Sequence, residues 1–136
     1  MKLKVRFSFI DIVIIAVVLT IITVKAVPQY TQAKTQTRVS ILSDGLQLMR
    51  CKLDLYQVRN NGSLPPCDSF ARFEAAMTIP AGRYSCYLKQ IPVNPFNQLN
   101  TIRFDGEPAG ADFAGWRLDT KTCLFQADNA PIYAGL

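Results

Sequence analysis

The stretch FSFIDIVIIAVVLTIITVKAV, from Phe7 to Val27, sets the fold of this 136-residue chain. Only Asp11 and Lys25 are charged within it, and the run from Ile12 to Val24 holds nothing but aliphatic residues and two threonines. A helix that crosses a membrane needs about 20 mostly apolar residues. The sequence therefore predicts a membrane-spanning helix close to the N-terminus.

The flanks of this segment predict its orientation. Lys2, Lys4 and Arg6 precede it and no comparable basic cluster follows it at once, so the N-terminus is expected in the cytoplasm and the rest of the chain outside. A cleaved secretory signal has similar flanks but ends in small residues, and this run ends in TVKAVP from Thr23 to Pro28. We therefore expect the helix to be retained.

Asp11 is the one acidic residue in this segment. A carboxylate within hydrocarbon costs about 3 kcal/mol on insertion scales, so such a residue is normally paired or functional. Asp11 also lies close enough to Arg6 in the sequence to remain hydrated among the lipid headgroups. The spacing leaves both roles open.

The formal charge of +5 gives little support to nucleic-acid binding. Lys2, Lys4 and Arg6 supply three of the fifteen basic residues, which leaves twelve basic against ten acidic residues beyond position 6. The excess charge is therefore mainly a property of the N-terminal tail, and no nucleic-acid partner is expected.

An amphipathic helix is predicted to continue beyond Pro28 as far as Asn60. A proline inside a helical pattern kinks or interrupts the helix, because its N–H is missing and its ring crowds the preceding turn. Apolar residues then recur at helical spacing in two rows, Val39, Leu42, Leu46, Met49, Leu53 and Tyr56 in the first and Ile41, Leu48 and Leu55 in the second. These rows cover about half of the circumference, so the helix is expected to pack on its own sheet with room for neighbouring subunits.

The C-terminal part is predicted to be a short helix followed by strands. Asp68 and Ser69 are suited to cap a helix that runs through Met77. After Pro80 the pattern changes to strand-like alternation, at Tyr84 to Leu88, Ile102 to Phe104, Trp116 to Leu118 and Cys123 to Phe125. The predicted fold is α+β, with a long N-terminal α-helix packed on a small antiparallel β-sheet.

The four cysteines are Cys51, Cys67, Cys86 and Cys123, and the chain has no histidine. Without a C-x-x-C pair or a histidine, a zinc site is not expected. Two disulfides are expected instead, with Cys51–Cys67 and Cys86–Cys123 favoured among the three possible pairings and four free thiols as the alternative. A loop of about 15 residues closed in this way contributes around 3 kcal/mol in the chain-entropy model.

No catalytic residues are proposed. The lack of histidine excludes the usual Ser-His-Asp and Cys-His arrangements, and no P-loop or G-x-G-x-x-G motif is present. The sequence therefore favours a protein that is not an enzyme.

The order Phe7-Ser-Phe-Ile-Asp11, then aliphatic residues, then Val27-Pro-Gln-Tyr30 resembles the N-terminus of type IV pilins and type II secretion pseudopilins. In that family a short basic leader is cut just before a phenylalanine, an acidic residue stands fifth in the mature chain and a proline stands twenty-second. Phe7, Asp11 and Pro28 occupy those places. Family leaders nearly always end in glycine, and here the residue is Arg6.

The resemblance implies a leader at residues 1–6, a membrane and filament-core helix at 7–29 and an extracytoplasmic globular domain at 30–136. It further implies a subunit that is stored in the bacterial inner membrane, processed and methylated at Arg6 and Phe7 by prepilin peptidase, and assembled with copies of itself or other pilins through Asp11 and Pro28. The alternative is an uncut membrane-anchored periplasmic binding domain, which Arg6 favours.

A second, looser resemblance to pseudopilins covers residues 91 to 129, with IPVNPFN at 91–97, Gly115-Trp116 and DTKT at 119–122. Some members of the family bind calcium in this region. The resemblance makes calcium possible at Asp112, Asp119 and Asp128, although scattered aspartates are more often turn formers. No other cofactor is expected.

Overall fold

The computed structural model describes residues 6 to 136, except for the side chains of residues 24 to 30. The chain is α+β and divides into two compact units, Met1–Thr37 and Arg38–Leu136. Its helices are α1 (Phe9–Arg59), α2 (Phe70–Thr78) and a 3-10 helix at Pro131–Tyr133. Its strands are β1 (Ile102–Arg103), β2 (Trp116–Asp119) and β3 (Leu124–Ala127).

Helix α1 begins and ends close to the positions that the sequence predicts. It has 51 residues, against the predicted range from Phe7 to Asn60. Within the described residues, no helix is long and apolar enough to cross a membrane. Helix α1 is not interrupted at Pro28, and the expected kink there stays a prediction.

The C-terminal part of α1 carries the core of the second unit. Leu42, Leu46, Met49 and Leu53 of the first predicted row are buried, and Tyr56 packs against the same cluster. In the second predicted row, Ile41 and Leu48 remain 50% and 43% exposed. The first row therefore meets the rest of the unit, and much of the second row faces outward.

Helix α2 follows the predicted cap closely. The Ser69 hydroxyl accepts a hydrogen bond from the backbone N–H of Arg72 at 3.3 Å, which satisfies one of the free donors at a helix start. Phe73 and Met77 of this helix are fully buried in the core. Beyond its end, the N–H of Leu88 donates to the Met77 carbonyl at 2.9 Å and fixes the following segment against the helix.

The sheet is mixed, so the prediction of an antiparallel meander is wrong for one of its pairs. Strand β2 lies in the centre, parallel to β1 and antiparallel to β3. The residues from 104 to 115 join β1 to β2, and a connection of this length allows the chain to return and enter the second strand in the same direction. The short turn at residues 120–123 gives the expected antiparallel pair.

The strand predicted at Tyr84 to Leu88 does not form. The segment has one isolated bridge, between Ala81 and Tyr84, and is otherwise turns and bends. Side-chain contacts with α1 hold it instead. The Arg59 guanidinium lies 4.3 Å from the centre of the Tyr84 ring, and the rings of Tyr56 and Tyr87 are 5.1 Å apart. Alternating apolar residues here are therefore explained by packing on a helix.

Trp116 joins α1 to the sheet, and Gly45 makes room for it. A Cβ atom at Gly45 would lie 3.1 Å from the Trp116 ring, which is fully buried. The Trp116 indole N–H donates to the Pro92 carbonyl at 2.8 Å, so the ring cannot shift without losing a hydrogen bond. The closest approach of α1 to the sheet therefore requires a residue without a side chain at position 45.

Replacing Gly45 by valine is expected to lower the free energy of unfolding by about 1 to 3 kcal/mol, because overpacking forces the helix away from Trp116. Trp116 is the one tryptophan of the chain, so its fluorescence during thermal unfolding in detergent measures this loss directly. Gly135→Val is the matched control, since a Cβ at Gly135 meets nothing within 4 Å. Equal unfolding temperatures for the two variants would contradict this account.

Candidate functional site

Asp11 lies in the first turn of α1 and completes its N-terminal cap. The Asp11 carboxylate accepts a hydrogen bond from the backbone N–H of Ser8 at 2.9 Å, and the Ser8 carbonyl accepts from the N–H groups of Asp11 and Ile12. This is the reach-back half of a capping box. A negative charge is also favourable at the positive end of the helix dipole. The local structure thus gives Asp11 a stabilising role within a single chain.

The predicted processing residues precede this cap. Arg6 and Phe7 are both exposed, and Phe7 leaves 67% of its surface accessible. Among the described residues, neither Arg6 nor any other cation forms an ion pair with Asp11. Asp11 therefore has no counter-ion in the described part of the chain.

The apolar side chains that follow Asp11 have no core to enter. The large ones leave between 44% and 81% of their surface exposed, and they are Phe9, Ile10, Ile12, Val13, Ile14, Ile15, Val17, Val18, Leu19, Ile21 and Ile22. Monomeric soluble proteins rarely expose so large a contiguous apolar surface. An apolar surface of this size is typical of a segment that other molecules cover.

The two threonines in this run suit a covered environment. The Thr20 hydroxyl donates to the Ala16 carbonyl at 2.7 Å, and the Thr23 hydroxyl donates to the Leu19 carbonyl at 3.0 Å. Each donor is satisfied inside its own helix, which removes the main cost of burying a hydroxyl group. Neither threonine prevents lipid or protein from covering the helix.

Asp128 is the centre of the second unit's polar contacts. Its side chain is fully buried and forms an ion pair with Arg103, with 2.6 Å between Oδ1 and a guanidinium nitrogen. The carboxylate also accepts from the backbone N–H groups of Gly110 and Ala114 at 3.0 and 3.2 Å. A buried charge needs such a set of partners, and here they come from β1 and from the connection between β1 and β2.

Arg103 extends this network toward the surface. Its guanidinium also contacts both carboxylate oxygens of Asp105 at 2.8 and 2.9 Å and donates to the Pro108 carbonyl. The hydrogen bond with Asp128 raises the pKa of Arg103 above its ordinary value. The bond from Arg103 lowers the pKa of the Asp105 carboxyl. One guanidinium therefore binds two carboxylates, one buried and one exposed.

The structure brings Asp112 and Asp128 together, since the Asp112 N–H donates to the Asp128 carbonyl at 2.7 Å, but it does not gather all three predicted calcium ligands. Asp128 pairs with Arg103, whereas Asp112 accepts from the Asn97 side chain at 2.8 Å. Asp119 caps the turn between β2 and β3, where the N–H of Lys121 donates to it and lowers its pKa. In the part of the chain that the structure describes, no three acidic, cysteine or histidine side chains are grouped to hold a metal ion. Arg103 supplies the positive charge at Asp128.

All four cysteines are free thiols, so neither expected bridge is present in this structure. The sequence predicts Cys86 and Cys123 in two strands, at Tyr84 to Leu88 and Cys123 to Phe125, but neither residue lies in a strand. Cys123 adopts a φ of 59° in the turn before β3, and its sulfur accepts from the Gln57 side chain at 3.5 Å. Burial raises the pKa of the Cys67 thiol, and Asp68 and Cys123 are near enough to raise it further. Disulfide formation stays a prediction.

Two groups of residues that organise this region were missed from the sequence. The alternation at Ile102 to Phe104 predicts Arg103 only as the outward residue of a strand, and the asparagines of the IPVNPFN stretch enter only through the resemblance. Asn94 is fully buried and donates to the carbonyl of Gly115 and the side chain of Asn129, at 2.8 and 2.9 Å. Asn97 donates to the Ala114 carbonyl. Asparagines beside a proline were the available signal for such side-chain-to-backbone bonding.

A comparison of this chain with family models, with curated proteins and with solved structures finds no significant match. Its function is therefore inferred from the residues and contacts described above.

Replacing Asp128 by alanine is expected to lower the free energy of unfolding by about 3 kcal/mol, because Arg103 loses its buried partner. This value is at the low end of the usual destabilisation for breaking a buried ion pair, because Arg103 retains its ion pair with Asp105. Trp116 fluorescence during urea unfolding provides the measurement. Asp68→Ala is the control, since it breaks the exposed ion pair with Arg72 and should change stability little. Similar stabilities for both variants would show that the buried pair is not the anchor of this unit.

Proposed function

We propose that this chain is a structural subunit of a type IV pilus or type II secretion filament, and that it assembles through its apolar N-terminal helix. The subunit would wait in the bacterial inner membrane as a single-pass protein with its N-terminus in the cytoplasm and its globular domain in the periplasm. Its partners would be copies of itself or other pilins, and prepilin peptidase where the leader is processed. The proposal requires no catalysis, cofactor or nucleic acid.

The observation that carries this proposal is the exposed apolar surface of α1 around and after Asp11. A lipid bilayer and a bundle of neighbouring helices both cover such a surface, so the same segment suits storage in a membrane and burial in a filament. The side chains of Val13, Val17 and Thr20 surround the small residue Ala16 and leave a shallow notch. A notch of this kind admits a side chain from a neighbouring helix.

Asp11 supports assembly over simple anchoring. A plain membrane anchor gains only the helix cap from this carboxylate, whereas an assembling helix also gains a point where a neighbour's cation can bind. In the pilin family that cation is the amine exposed by cutting before the phenylalanine, here Phe7. Burial between subunits would strengthen such a pair and penalise any arrangement that leaves Asp11 unpaired.

The second candidate is an uncut, membrane-anchored periplasmic binding domain that never polymerises. Arg6 is the specific observation in its favour, because it stands where family leaders carry glycine. An intermediate arrangement keeps the leader and pairs Arg6 with Asp11 of a neighbouring subunit. These three possibilities differ in the chemical state of the N-terminus and in whether fibres form.

Replacing Asp11 by alanine should leave membrane insertion intact and impair filament assembly, because the neighbour's cation loses its partner. Asp11→Asn sharpens the experiment, since an amide oxygen can still accept from the Ser8 N–H but carries no charge. We expect both variants to fail in assembly. Membrane fractionation and electron microscopy of sheared surface fibres provide the two measurements.

Asp11→Glu, which retains the charge, is the matched control and should assemble. If Asp11→Asn forms normal filaments, Asp11 acts as a helix cap and the proposed ion pair is wrong.

Mass spectrometry of the purified protein should find a chain that begins at N-methylated Phe7 if the leader is processed as in the family. An intact N-terminus together with surface fibres would support the arrangement in which Arg6 pairs with a neighbour. An intact N-terminus without fibres, in cells that express the chain and its peptidase, would overturn the filament proposal and support the anchored domain.

A further inference from the structure

The connection between β1 and β2 presents an acidic surface that several hydrogen bonds hold in place. We call residues 105–113, DGEPAGADF, the acidic loop, because it contains Asp105, Glu107 and Asp112 and no basic residue. Hydrogen bonds with Arg117 and Asp128 hold its two ends. Arg117 donates to the carbonyls of Gly106 and Glu107, and Asp128 accepts from the N–H groups near its other end.

An exposed aromatic side chain lies at the end of this loop. Phe113 leaves 80% of its surface accessible, although its neighbour Ala114 is buried and bonded to Asp128. Asp112 has a φ of 60°, a conformation that L-residues adopt at a cost, and the hydrogen bond from Asn97 holds it there. A loop that is ordered this firmly pays little further entropy when it binds, so an exposed phenylalanine on it is suited to act as an anchor.

A groove with the opposite charge lies beside the C-terminal part of α1. We call it the lysine groove, and its lining residues are Leu48, Lys52, Tyr87, Leu88, Lys89, Gln90 and Pro92. Its volume is about 350 Å³, and it holds two lysines and no acidic residue. Among the described residues, neither Lys52 nor Lys89 forms an ion pair.

The two surfaces lie on different sides of the second unit. Trp116 and Leu118 belong to the core cluster that includes α1, so the side chain of Arg117 between them points to the other face of the sheet. Arg117 holds Gly106 and Glu107 on that other face. The lysine groove, in contrast, is built on α1 itself. The beginning of the acidic loop therefore cannot occupy the lysine groove of its own chain.

We propose that the acidic loop of one copy docks into the lysine groove of a second copy, with Phe113 against the apolar lining at Leu48 and Pro92 and Glu107 beside the lysines. This contact deepens the proposed filament function and rests on it. Asp105 is already paired with Arg103, but Glu107 and Asp112 form no ion pair among the described residues and are opposite in charge to the two lysines. Such complementarity fixes partner and register. Because each copy has one loop and one groove on different sides, the contact is head-to-tail and extends without closing on itself in pairs.

Charge reversal tests the contact. Lys89→Glu and Glu107→Lys each place like charges opposite one another, so each should reduce filament yield by about tenfold or more. The double variant restores opposite charges and should recover assembly. Both residues are exposed, so the fold is not at risk. Lys121→Glu, at an exposed position in the turn after β2, is the control for the change in net charge and should assemble normally.

Failure of this contact can be distinguished from failure of the filament function. If Asp11→Asn abolishes filaments while Lys89→Glu, Glu107→Lys and Phe113→Ala all assemble at the unmodified level, the loop-to-groove contact is wrong and the filament function stands. If the unmodified chain forms no filaments, both proposals fail.

Photo-crosslinking locates the contact directly. A photoreactive phenylalanine analogue at position 113 of the full-length chain, irradiated in cells, should give a product with twice the mass of the chain. Peptide mapping should join position 113 to residues 48–52 or 87–92. Crosslinks of Phe113 to any other region, or to other proteins alone, would overturn the proposal.

Discussion

The buried carboxylate of Asp128 is the constraint on which the second unit depends. A fully buried charge is tolerated only with a counter-charge and further hydrogen-bond donors, and this one takes them from separate parts of the chain. Arg103 comes from β1, whereas Gly110, Ala111 and Ala114 come from the connection to β2. The same interaction therefore fixes an edge strand, a long loop and the end of β3 relative to one another.

This requirement explains the parallel pairing of β1 with β2. A tight hairpin would place the two strands antiparallel and leave Asp128 without the backbone donors of a long connection. The chain instead passes over the outer face of the sheet, where Arg117 and Arg103 hold its carbonyl groups. It then returns past Asp128 and enters β2 beside Thr101, whose carbonyl accepts from the N–H of Trp116. Hydrogen bonds to Arg103, Arg117 and Asp128 therefore hold this connection against the sheet.

The sequence predicted those elements whose cause is local. Apolar spacing identified α1 and its buried row, and Ser69 identified the start of α2, because periodicity and caps act within a few residues. The strand expected at Tyr84 to Leu88 does not form. Apolar alternation predicts which side chains are buried but not which element they pack against, and here they pack against α1. Cys123 was placed in a strand because nothing in its neighbours indicated a positive φ. The Asp128 network joins residues 25 apart, and no local pattern reveals it.

Under the proposed function, the cap at Asp11 bears on how an apolar helix with a carboxylate would be stored before assembly. In the single chain the Ser8 N–H and the helix terminus stabilise the carboxylate, so the proposed subunit would not hold a wholly unsatisfied anion in the membrane. That hydrogen bond uses one carboxylate oxygen and leaves the other free to accept from a second donor. In the proposed filament a neighbour's amine would therefore add to the cap and would not replace it. An arrangement that buries Asp11 beside apolar side chains alone would leave an unpaired buried charge, which is costly in free energy. In the proposed filament, the free-energy difference between paired and unpaired arrangements would let a single carboxylate select one register among many possible helix contacts.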